Sequence, residues 1–284
     1  MIAKSLAKPE ILTRELETIS DLESALRLER EVWDFSAADV TPLTLAVAMK
    51  ASGTIWLGAL DGDQLVGFAC AFPSLHEERI GFHSHTLAVR PQYWDSGIGF
   101  RLKLEQRRRV LARGVKEITW TFDPLRSRNA HLNFAKLGVV SATYKVDFYG
   151  AQTSSPLHKN GTDRLWVTWQ LVERRVEERI KGVDIRPVVL DSLAHLEPLV
   201  RFNGDGRPVE TELARALARQ RIAIEIPGDM EVIEQKDREL ARQWRLLTRR
   251  AFLEALRAGF VVREFCRSIR GQQGPGAYLL EKME

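Results

Sequence analysis

The sequence predicts a protein of the α/β (α+β) class, and three observations support this. Strand-like apolar runs alternate with helical stretches over residues 13–171, in the order β-α-α-β-β-β-α-β-α-β-β. The turn Asp61-Gly62-Asp63 joins two neighbouring apolar runs, which is typical of a β-hairpin. The chain has 284 residues, of which 44% are hydrophobic, so it can bury the core of one large or two modest domains.

The chain is predicted to begin with a strand and two helices. An apolar stretch predicts the first strand at residues 13–19. Ser20 followed by Glu23 forms a capping-box pattern, which predicts the start of the first helix. Thr41-Pro42 predicts the start of the second helix, with proline at the first helical position.

The hairpin is predicted to have strands at residues 55–60 and 64–73. The polar segment 74–85 then predicts a loop. The apolar run at residues 86–89, which stops at Pro91, predicts the next strand. The turn after Pro91 therefore begins at the carboxyl end of a strand.

A short turn containing Gly97-Ile98-Gly99 follows this strand and precedes a stretch with helical spacing. Backbone N–H groups in the first turn of a helix have no partners within the helix, so they are available to an anion. Glycine lets a phosphate approach the backbone without a Cβ atom in the way. The order of strand, glycine-bearing turn and helix therefore predicts an anion site.

The helix after this turn is predicted to be amphipathic. Phe100, Leu104 and Leu111 lie at offsets of four and seven residues, so they are expected to share its buried face. Gly114 is expected to end this helix.

The elements after Gly114 continue the same alternation up to Val172. They are predicted as a strand at 116–122, a helix at 127–137 closed by Gly138, and strands at 139–149 and 164–171. From Val172 the periodicity weakens, so we place a domain boundary there. The predicted domains are residues 1–172 and 173–284.

The C-terminal part is predicted to be a smaller α/β region. Its elements are a strand at 221–227, an amphipathic helix at 237–258 ended by Gly259, and strands at 260–265 and 277–281. This order repeats that of residues 116–171, so one hypothesis is a degenerate half-repeat of the first domain. An unrelated α+β appendage is the alternative. No second Gly-x-Gly turn precedes this region, so no second anion site of the same kind is expected.

Composition limits the expected partners and location. The chain has 42 basic and 38 acidic residues, an excess too small and too dispersed to predict nucleic-acid binding. It has no apolar run of 18 residues, so no membrane segment is expected. Cys70 and Cys266 lie far apart in apolar contexts, which predicts buried free thiols in a reducing compartment. We therefore expect a cytoplasmic protein without a metal.

The stretch around the glycine turn resembles the acyl-CoA-binding signature of the GNAT superfamily of N-acetyltransferases. The residues that carry the resemblance are Val89, Pro91, Trp94, Gly97 and Gly99. Trp94 departs from the pattern because the superfamily usually has Arg or Gln there. The resemblance covers about residues 13–171 and implies a mixed, mostly antiparallel central sheet with flanking helices. It also implies that the pantetheine arm lies between the splayed strands 84–89 and 116–122. The WTFDPL and Asn-Ala motifs are similar to those of a bacterial group of GNAT-like proteins.

The resemblance also implies which residues bind acetyl-CoA. Main-chain groups of the fourth strand would face the thioester, and those of the following turn would face the pyrophosphate, while two asparagines would hydrogen-bond to the pantetheine or to the turn. These residues are Leu87, Ala88 and Val89 on the strand, Asp95, Ser96, Gly97, Ile98 and Gly99 in the turn, and Asn129 and Asn133. Arg90, Arg101 and Lys103 could add positive charge near the pyrophosphate, or could be solvated surface residues.

General-base candidates lie in the predicted loop before the fourth strand. They are His85, His83 and Glu78, with Glu77 beside them. The two histidines are two residues apart, so on a strand they face the same side, and imidazole suits proton transfer near neutral pH. Each of these residues could instead be ordinary polar surface.

A general acid is harder to assign. Phe134 stands where the superfamily usually has a tyrosine, and a phenyl ring cannot donate a proton. Tyr144 is the substitute we predict, with Tyr149 as a second candidate. Asp123 would lie near the acceptor and could bind a cationic amine, or it could only form the Asp-Pro turn.

Two functions remain open from the sequence. The first is an acetyl-CoA-dependent N-acetyltransferase that acts on a small amine or amino-acid-like substrate. The second is an acyl-CoA-binding sensor or interaction protein with this fold and weak or no transfer activity. The expected partners are acetyl-CoA and a small amine, without nucleic acid or membrane. The long C-terminal helix could cover the sheet or build a homodimer.

Overall fold

The structure is a computed structural model that describes residues 10–36, 39–76, 78–150, 158–271 and 274–283. It contains two compact units, Met1–Lys116 and Glu117–Glu284. These units do not test the domain boundary predicted near Val172, which stays a prediction. Both units contain sheets flanked by helices, and nearly all strand pairs within them are antiparallel. The predicted mixed α/β class is confirmed.

The elements of the first unit follow the predicted order. They are β1 (Ile11–Glu15), α1 (Ile19–Trp33), α2 (Leu43–Ala51), β2 (Ile55–Asp61), β3 (Gln64–His76), β4 (Arg79–Val89), a 3₁₀ turn (Pro91–Tyr93) and α3 (Ile98–Ala112). The strands form an antiparallel sheet in the order β1-β2-β3-β4. Helix α1 packs through Leu22 and Leu28 onto Phe68 and Cys70 of β3.

The start of α1 differs from the prediction by two residues. Thr18 is the N-cap, its Oγ1 accepts the Asp21 N–H at 3.1 Å, and the Asp21 carboxylate accepts the Thr18 N–H at 3.1 Å. The capping box is therefore Thr18/Asp21, and the predicted pair Ser20/Glu23 is wrong. Because the chain must leave the sheet before this cap, β1 ends at Glu15 and the strand predicted at residues 13–19 was placed too late.

The second helix has proline one position earlier than predicted. Pro42 is its N-cap, and the helix begins at Leu43. Gly53, at φ 90°, follows its end.

The loop predicted at residues 74–85 is wrong, because β3 and β4 form one long hairpin. Residues 72–76 of β3 pair with residues 79–83 of β4 beyond Ala71, where pairing of β2 with β3 begins. This arm carries Leu75 and Ile80, which pair across the strands and are each 74% exposed. Near its turn both faces of the hairpin are exposed, at Leu75, His76, Arg79 and Ile80. A strand pair exposed in this way tolerates polar side chains, so its sequence resembles a loop.

Helix α3 begins and ends where predicted, but its buried face is different. Its buried residues are Ile98, Leu102, Lys103, Gln106 and Val110. The predicted face of Phe100, Leu104 and Leu111 is only half-buried. The prediction failed because two of the buried positions are polar, and hydrophobic periodicity gives such positions no weight.

The second unit contains the remaining elements. They are β5 (Glu117–Phe122), α4 (Ser127–Ala130) continued by a π-helical turn (His131–Lys136), β6 (Val140–Lys145), β7 (Arg164–Gln170), α5 (Arg174–Ile180), α6 (Arg186–Ala194), β8 (Pro198–Phe202), β9 (Pro208–Glu210), α7 (Leu213–Leu217), β10 (Arg221–Ile226), α8 (Met230–Lys236), α9 (Arg238–Arg257), β11 (Phe260–Cys266) and β12 (Gly276–Lys282). Strand β6 is shorter than the predicted 139–149, because the chain enters a turn in which Asp147 has φ 43°.

The sheet of the second unit has the order β5-β7-β6-β11-β12-β10-β8-β9. The triplet β5-β7-β6 and the triplet β10-β12-β11 share the sequence order strand, helix, strand, strand and the same lateral order. They meet edge to edge through antiparallel pairing of β6 with β11. This arrangement is what a half-repeat would produce, and the repeat itself stays a hypothesis that backbone superposition can test.

Candidate functional site

The turn between β4 and α3 is held in a defined shape by side-chain hydrogen bonds. The Tyr93 hydroxyl donates to the Asp61 carboxylate at 2.6 Å, which ties the 3₁₀ turn to the end of β2. The Ser96 hydroxyl donates to the Tyr93 carbonyl at 2.5 Å. Gly97 is the N-cap of α3 and has φ 83°, a conformation that favours glycine.

The N-terminus of α3 presents backbone donors that the fold leaves unused. Within the described residues, the N–H groups of Gly97, Ile98, Gly99 and Phe100 have no acceptor, and the first helical bond runs from the Arg101 N–H to the Gly97 carbonyl at 3.0 Å. An ideal Cβ at Gly97 would have no atom within 4 Å, so the turn is open on that side. Four free N–H groups at the positive end of a helix form an anion-binding arrangement.

Trp94 shapes this turn through its indole ring. Its Nε1–H donates to the Val89 carbonyl at 2.8 Å, which closes the turn onto the last residue of β4. The side chain is 44% exposed, so the ring lies on the surface of the turn. Trp94 thus contributes a side-chain contact to a site whose donors to an anion are main-chain groups.

Strand β4 contains a β-bulge at His85. Cys70 of β3 pairs with Thr86 and Ala71 pairs with Ser84, which leaves His85 without a partner on β3. A bulge disrupts the ladder locally and changes the direction of side chains and backbone groups. The bulge lies two residues before Leu87, the first of the strand residues that were expected to face the thioester.

His83 and His85 lie together beside the bulge. Both rings contact the Phe72 ring, with centroid distances of 5.4 and 6.0 Å, which confirms that they face the same side. Burial, then the positive charges of His85 and Lys103, lower the pKa of His83 to about 4. Partial loss of hydration among the surrounding residues also lowers the pKa of His85, although its side chain remains accessible to solvent. Both imidazoles are therefore neutral at pH 7.

Lys103 is not the surface residue that the sequence suggested. It is 2% exposed, and its Nζ donates to the Ser84 Oγ at 2.7 Å and to the Gln106 Oε1 at 3.4 Å. Burial lowers the pKa of its amine to about 7. Lys103 therefore faces β4, and the expectation that it adds charge near the pyrophosphate is wrong.

The family comparison agrees with this geometry. Residues 16–139, which include β4, the turn and α3, match the family described as acetyltransferase (GNAT). These residues form a GNAT acetyltransferase domain. The match supports acetyl transfer in general and does not identify the acceptor. A comparison with curated proteins found no match.

Solved structures of GNAT acetyltransferases resemble the chain in part. An acetyltransferase of the GNAT family from Streptococcus pneumoniae is 18% identical, with 56% of this chain and 98% of that chain covered and a TM-score of 0.45. An aminoglycoside 6′-N-acetyltransferase complexed with coenzyme A is 18% identical, with 57% and 98% covered and a TM-score of 0.43. At these values the likenesses carry no argument about mechanism or substrate.

Glu78 lies away from the other general-base candidates of the GNAT domain. It forms the turn of the β3–β4 hairpin with φ 62° and is exposed. Six strand residues separate it from His85, a span of roughly 20 Å at the usual rise of a strand. The structure therefore does not bring Glu78 together with the histidines. Glu77 lies outside the described residues.

Asn133 and Asn129, which were expected to bind the coenzyme, lie in the second unit. Asn133 is in the π-helical turn, is buried, and its Oδ1 accepts the Trp120 Nε1–H at 3.2 Å. Asn129 is exposed on α4, whose N-cap is Arg126. Coenzyme binding by either asparagine stays a prediction.

Tyr144 and Phe134 are both buried in the second unit. The Tyr144 hydroxyl donates to the Asp163 carboxylate at 2.6 Å. Burial and then the Asp163 charge raise the pKa of Tyr144 well above its usual range. Phe134 is fully buried and packs edge-to-face against Tyr278 at 5.7 Å. Both side chains have structural contacts, and a catalytic role for Tyr144 stays a prediction.

Asp123 forms a buried ion pair that sequence analysis did not find. Its two carboxylate oxygens each accept a hydrogen bond from Arg245 at 2.8 Å, and its Oδ1 also accepts the Leu125 N–H at 3.0 Å. Burial alone would raise the pKa of Asp123, but the Arg245 guanidinium holds it well below its usual range. The suggestion that this carboxylate is free to bind a cationic amine is wrong.

Three further findings concern the described part of the chain. No group of three or more His, Cys, Asp or Glu side chains there could hold a metal ion. No helix there has the length and apolar character needed to cross a membrane. Cys70 and Cys266 are both buried and free, as predicted.

Proposed function

We propose that this protein is an acetyl-CoA-dependent N-acetyltransferase that transfers the acetyl group directly to a primary amine of a small molecule or an amino-acid-like substrate. The observation that carries the proposal is the set of four free backbone N–H groups from Gly97 to Phe100, at the start of a helix in the GNAT domain. These donors fit the pyrophosphate of CoA. In this proposal, main-chain groups of Leu87, Ala88 and Val89 face the thioester.

The histidines supply the proton chemistry in this proposal. An amine attacks the thioester only in its neutral form, so a base that removes a proton accelerates the reaction. His85 is accessible and lies in the bulge, and its lowered pKa keeps it neutral at pH 7. We assign His85 as the general base. His83 lies beside it and packs against the same Phe72 ring.

One observation favours a second function, an acyl-CoA-binding protein that transfers slowly or not at all. Phe134 cannot donate a proton, and the Tyr144 hydroxyl is engaged with Asp163. Direct transfer is still possible without a protein acid, because CoA can leave as a thiolate. Turnover therefore separates the two functions, whereas coenzyme binding does not.

Acetyl-CoA binding and thiol release test both functions. Isothermal titration calorimetry of the full chain with acetyl-CoA is expected to give a micromolar dissociation constant, corresponding to about −8 kcal/mol. Thiol release is then followed with spermidine, tryptamine, lysine and an alanine-terminated peptide as acceptors. Release that depends on one amine supports the transferase, and binding without release for any amine supports the second function. If acetyl-CoA does not bind, both proposals are wrong.

Replacing His85 tests its role as the base. His85→Gln is expected to lower kcat about 100-fold, the smaller end of the usual contribution from general-base catalysis. Because a base works in its neutral form and the pKa of His85 is lowered, the acidic limb of the kcat/KM profile is expected below pH 6.5, the ordinary histidine value. His76→Gln, on the exposed part of the same hairpin, is the matched control and should retain activity. Equal kcat in both variants would exclude His85.

A further inference from the structure

Lys103 connects the two parts of the proposed coenzyme site. It lies on α3, six residues after Gly97, which is about 9 Å along a helix. Its amine reaches across to Ser84 on β4 at 2.7 Å. The same helix therefore carries the glycine turn at its start and a buried contact with β4 further along.

Ser84 is the residue that immediately precedes the bulge. It pairs with Ala71, whereas the next pair of the ladder joins Thr86 to Cys70. The Ser84 side chain is buried, and its hydroxyl receives the Lys103 hydrogen bond. A bulge can be shifted along a strand unless something fixes it, and this contact fixes the residue beside it.

We propose that Lys103 is a positioning residue that holds the β4 bulge against α3 and thereby orients the main-chain groups of Leu87, Ala88 and Val89 toward the thioester carbonyl. The inference rests on the proposed function. In this inference the two parts of the coenzyme site have separate tasks. The glycine turn binds the pyrophosphate, and the β4 bulge lies at the acyl group. Loss of Lys103 should affect the acyl end and leave the pyrophosphate end unchanged.

The stability of a Lys103 variant distinguishes a positioning role from a purely structural one. A fully buried amine loses its hydration, and burial lowers the pKa of Lys103 to about 7. Methionine has a similar length and no amine to desolvate, so Lys103→Met should not unfold the protein. An effect on the acyl group in a variant with unchanged melting temperature therefore reflects positioning.

The experiment compares binding of CoA and acetyl-CoA without any acceptor amine. In Lys103→Met, the calorimetric dissociation constant for acetyl-CoA is expected to rise about fivefold, the worth of one hydrogen bond, while that for CoA stays within about twofold. The ¹³C resonance of [1-¹³C]acetyl-CoA is expected to shift on binding to the original protein. In the variant the bound resonance should return toward the free value.

Ser84→Ala removes the other end of the contact and should give the same changes. The double variant Lys103→Met/Ser84→Ala should show no further loss relative to Lys103→Met, because Lys103→Met has already removed the hydrogen bond to Ser84. Arg108→Met is the control, since Arg108 is exposed on α3 and pairs with Glu105.

The outcomes distinguish this inference from the proposed function. If the original protein binds neither ligand, the proposed function fails and the inference fails with it. If it binds both, but Lys103→Met and Ser84→Ala keep the acetyl-CoA affinity and the carbonyl shift, only the inference is overturned. Equal weakening of CoA and acetyl-CoA would also overturn it, because that result indicates a general disturbance of α3.

Discussion

Gly97→Val is expected to weaken acetyl-CoA binding about 10- to 100-fold, the worth of one hydrogen bond to a charged group. Gly97 has φ 83°, a region that a β-branched side chain avoids, so valine should force the turn into another conformation. The N–H groups of Gly97 to Phe100 would then no longer converge on one phosphate. A valine side chain would also occupy the open space that the coenzyme needs.

Gly114→Val is the matched control for this change. Gly114 follows the other end of α3, has φ 76°, and an ideal Cβ there would also have no atom within 4 Å. Both variants should therefore lose similar stability from backbone strain, of order 1–3 kcal/mol. Calorimetry should show weakened acetyl-CoA binding in Gly97→Val and unchanged binding in Gly114→Val. Equal affinities in the two variants would show that the turn does not bind the pyrophosphate.

These two glycines also show which features can be read from a sequence. Gly97 and Gly114 act through their own backbone conformation, so their roles as a turn residue and a helix end follow from local pattern. The Asp61-Gly62-Asp63 turn and the end of α9 at Gly259 were predicted for the same reason. Local conformational preferences do not require knowledge of any distant contact.

Lys103 shows where prediction from local sequence patterns fails. Its neighbours Leu102 and Leu104 are apolar, yet a lysine is normally assigned to solvent because burying an amine is costly. The buried amine donates to Ser84, which lies nineteen residues earlier and on another element, so a local pattern could not reveal this partner. The one local signal was Gln106, a second polar residue on the same helical face.

The prediction for the exposed part of the β3–β4 hairpin failed for the opposite reason. Its polar residues were interpreted as a loop because strand prediction relies on one buried face. Leu75 and Ile80 are exposed even though they pair within a ladder. Pairing of backbone groups leaves no trace in side-chain hydrophobicity, so only the three-dimensional structure could reveal this part of β3 and β4.

Arg245→Met is expected to destabilise the protein by about 3 kcal/mol, the lower range for breaking a buried ion pair. The variant leaves the Asp123 carboxylate buried, with the Arg126 guanidinium 3.5 Å away. The two partners are 122 residues apart in sequence, which explains why sequence reading did not join them. Urea denaturation at pH 7 measures the change.

Arg242→Met, on the same helix, provides the control for Arg245→Met. Arg242 is exposed and pairs with Glu239, so its loss should leave the unfolding free energy nearly unchanged. The double variant Asp123→Asn/Arg245→Met removes both charges and should recover part of the stability, because no unpaired charge remains buried. Similar losses in Arg245→Met and Arg242→Met would contradict the assignment of a buried ion pair.

The pH dependence gives an independent test of the same ion pair. The folded-state pKa of Asp123 lies below its unfolded value, so the unfolded chain binds the proton more readily. The stabilisation is therefore fully present above about pH 4, the ordinary aspartate value, and is lost as the pH falls below it. The stability advantage of the original protein over the double variant should accordingly shrink between pH 6 and pH 3. An advantage that stays constant over this range would mean that Asp123 titrates alike in both states, which a carboxylate held by Arg245 cannot do.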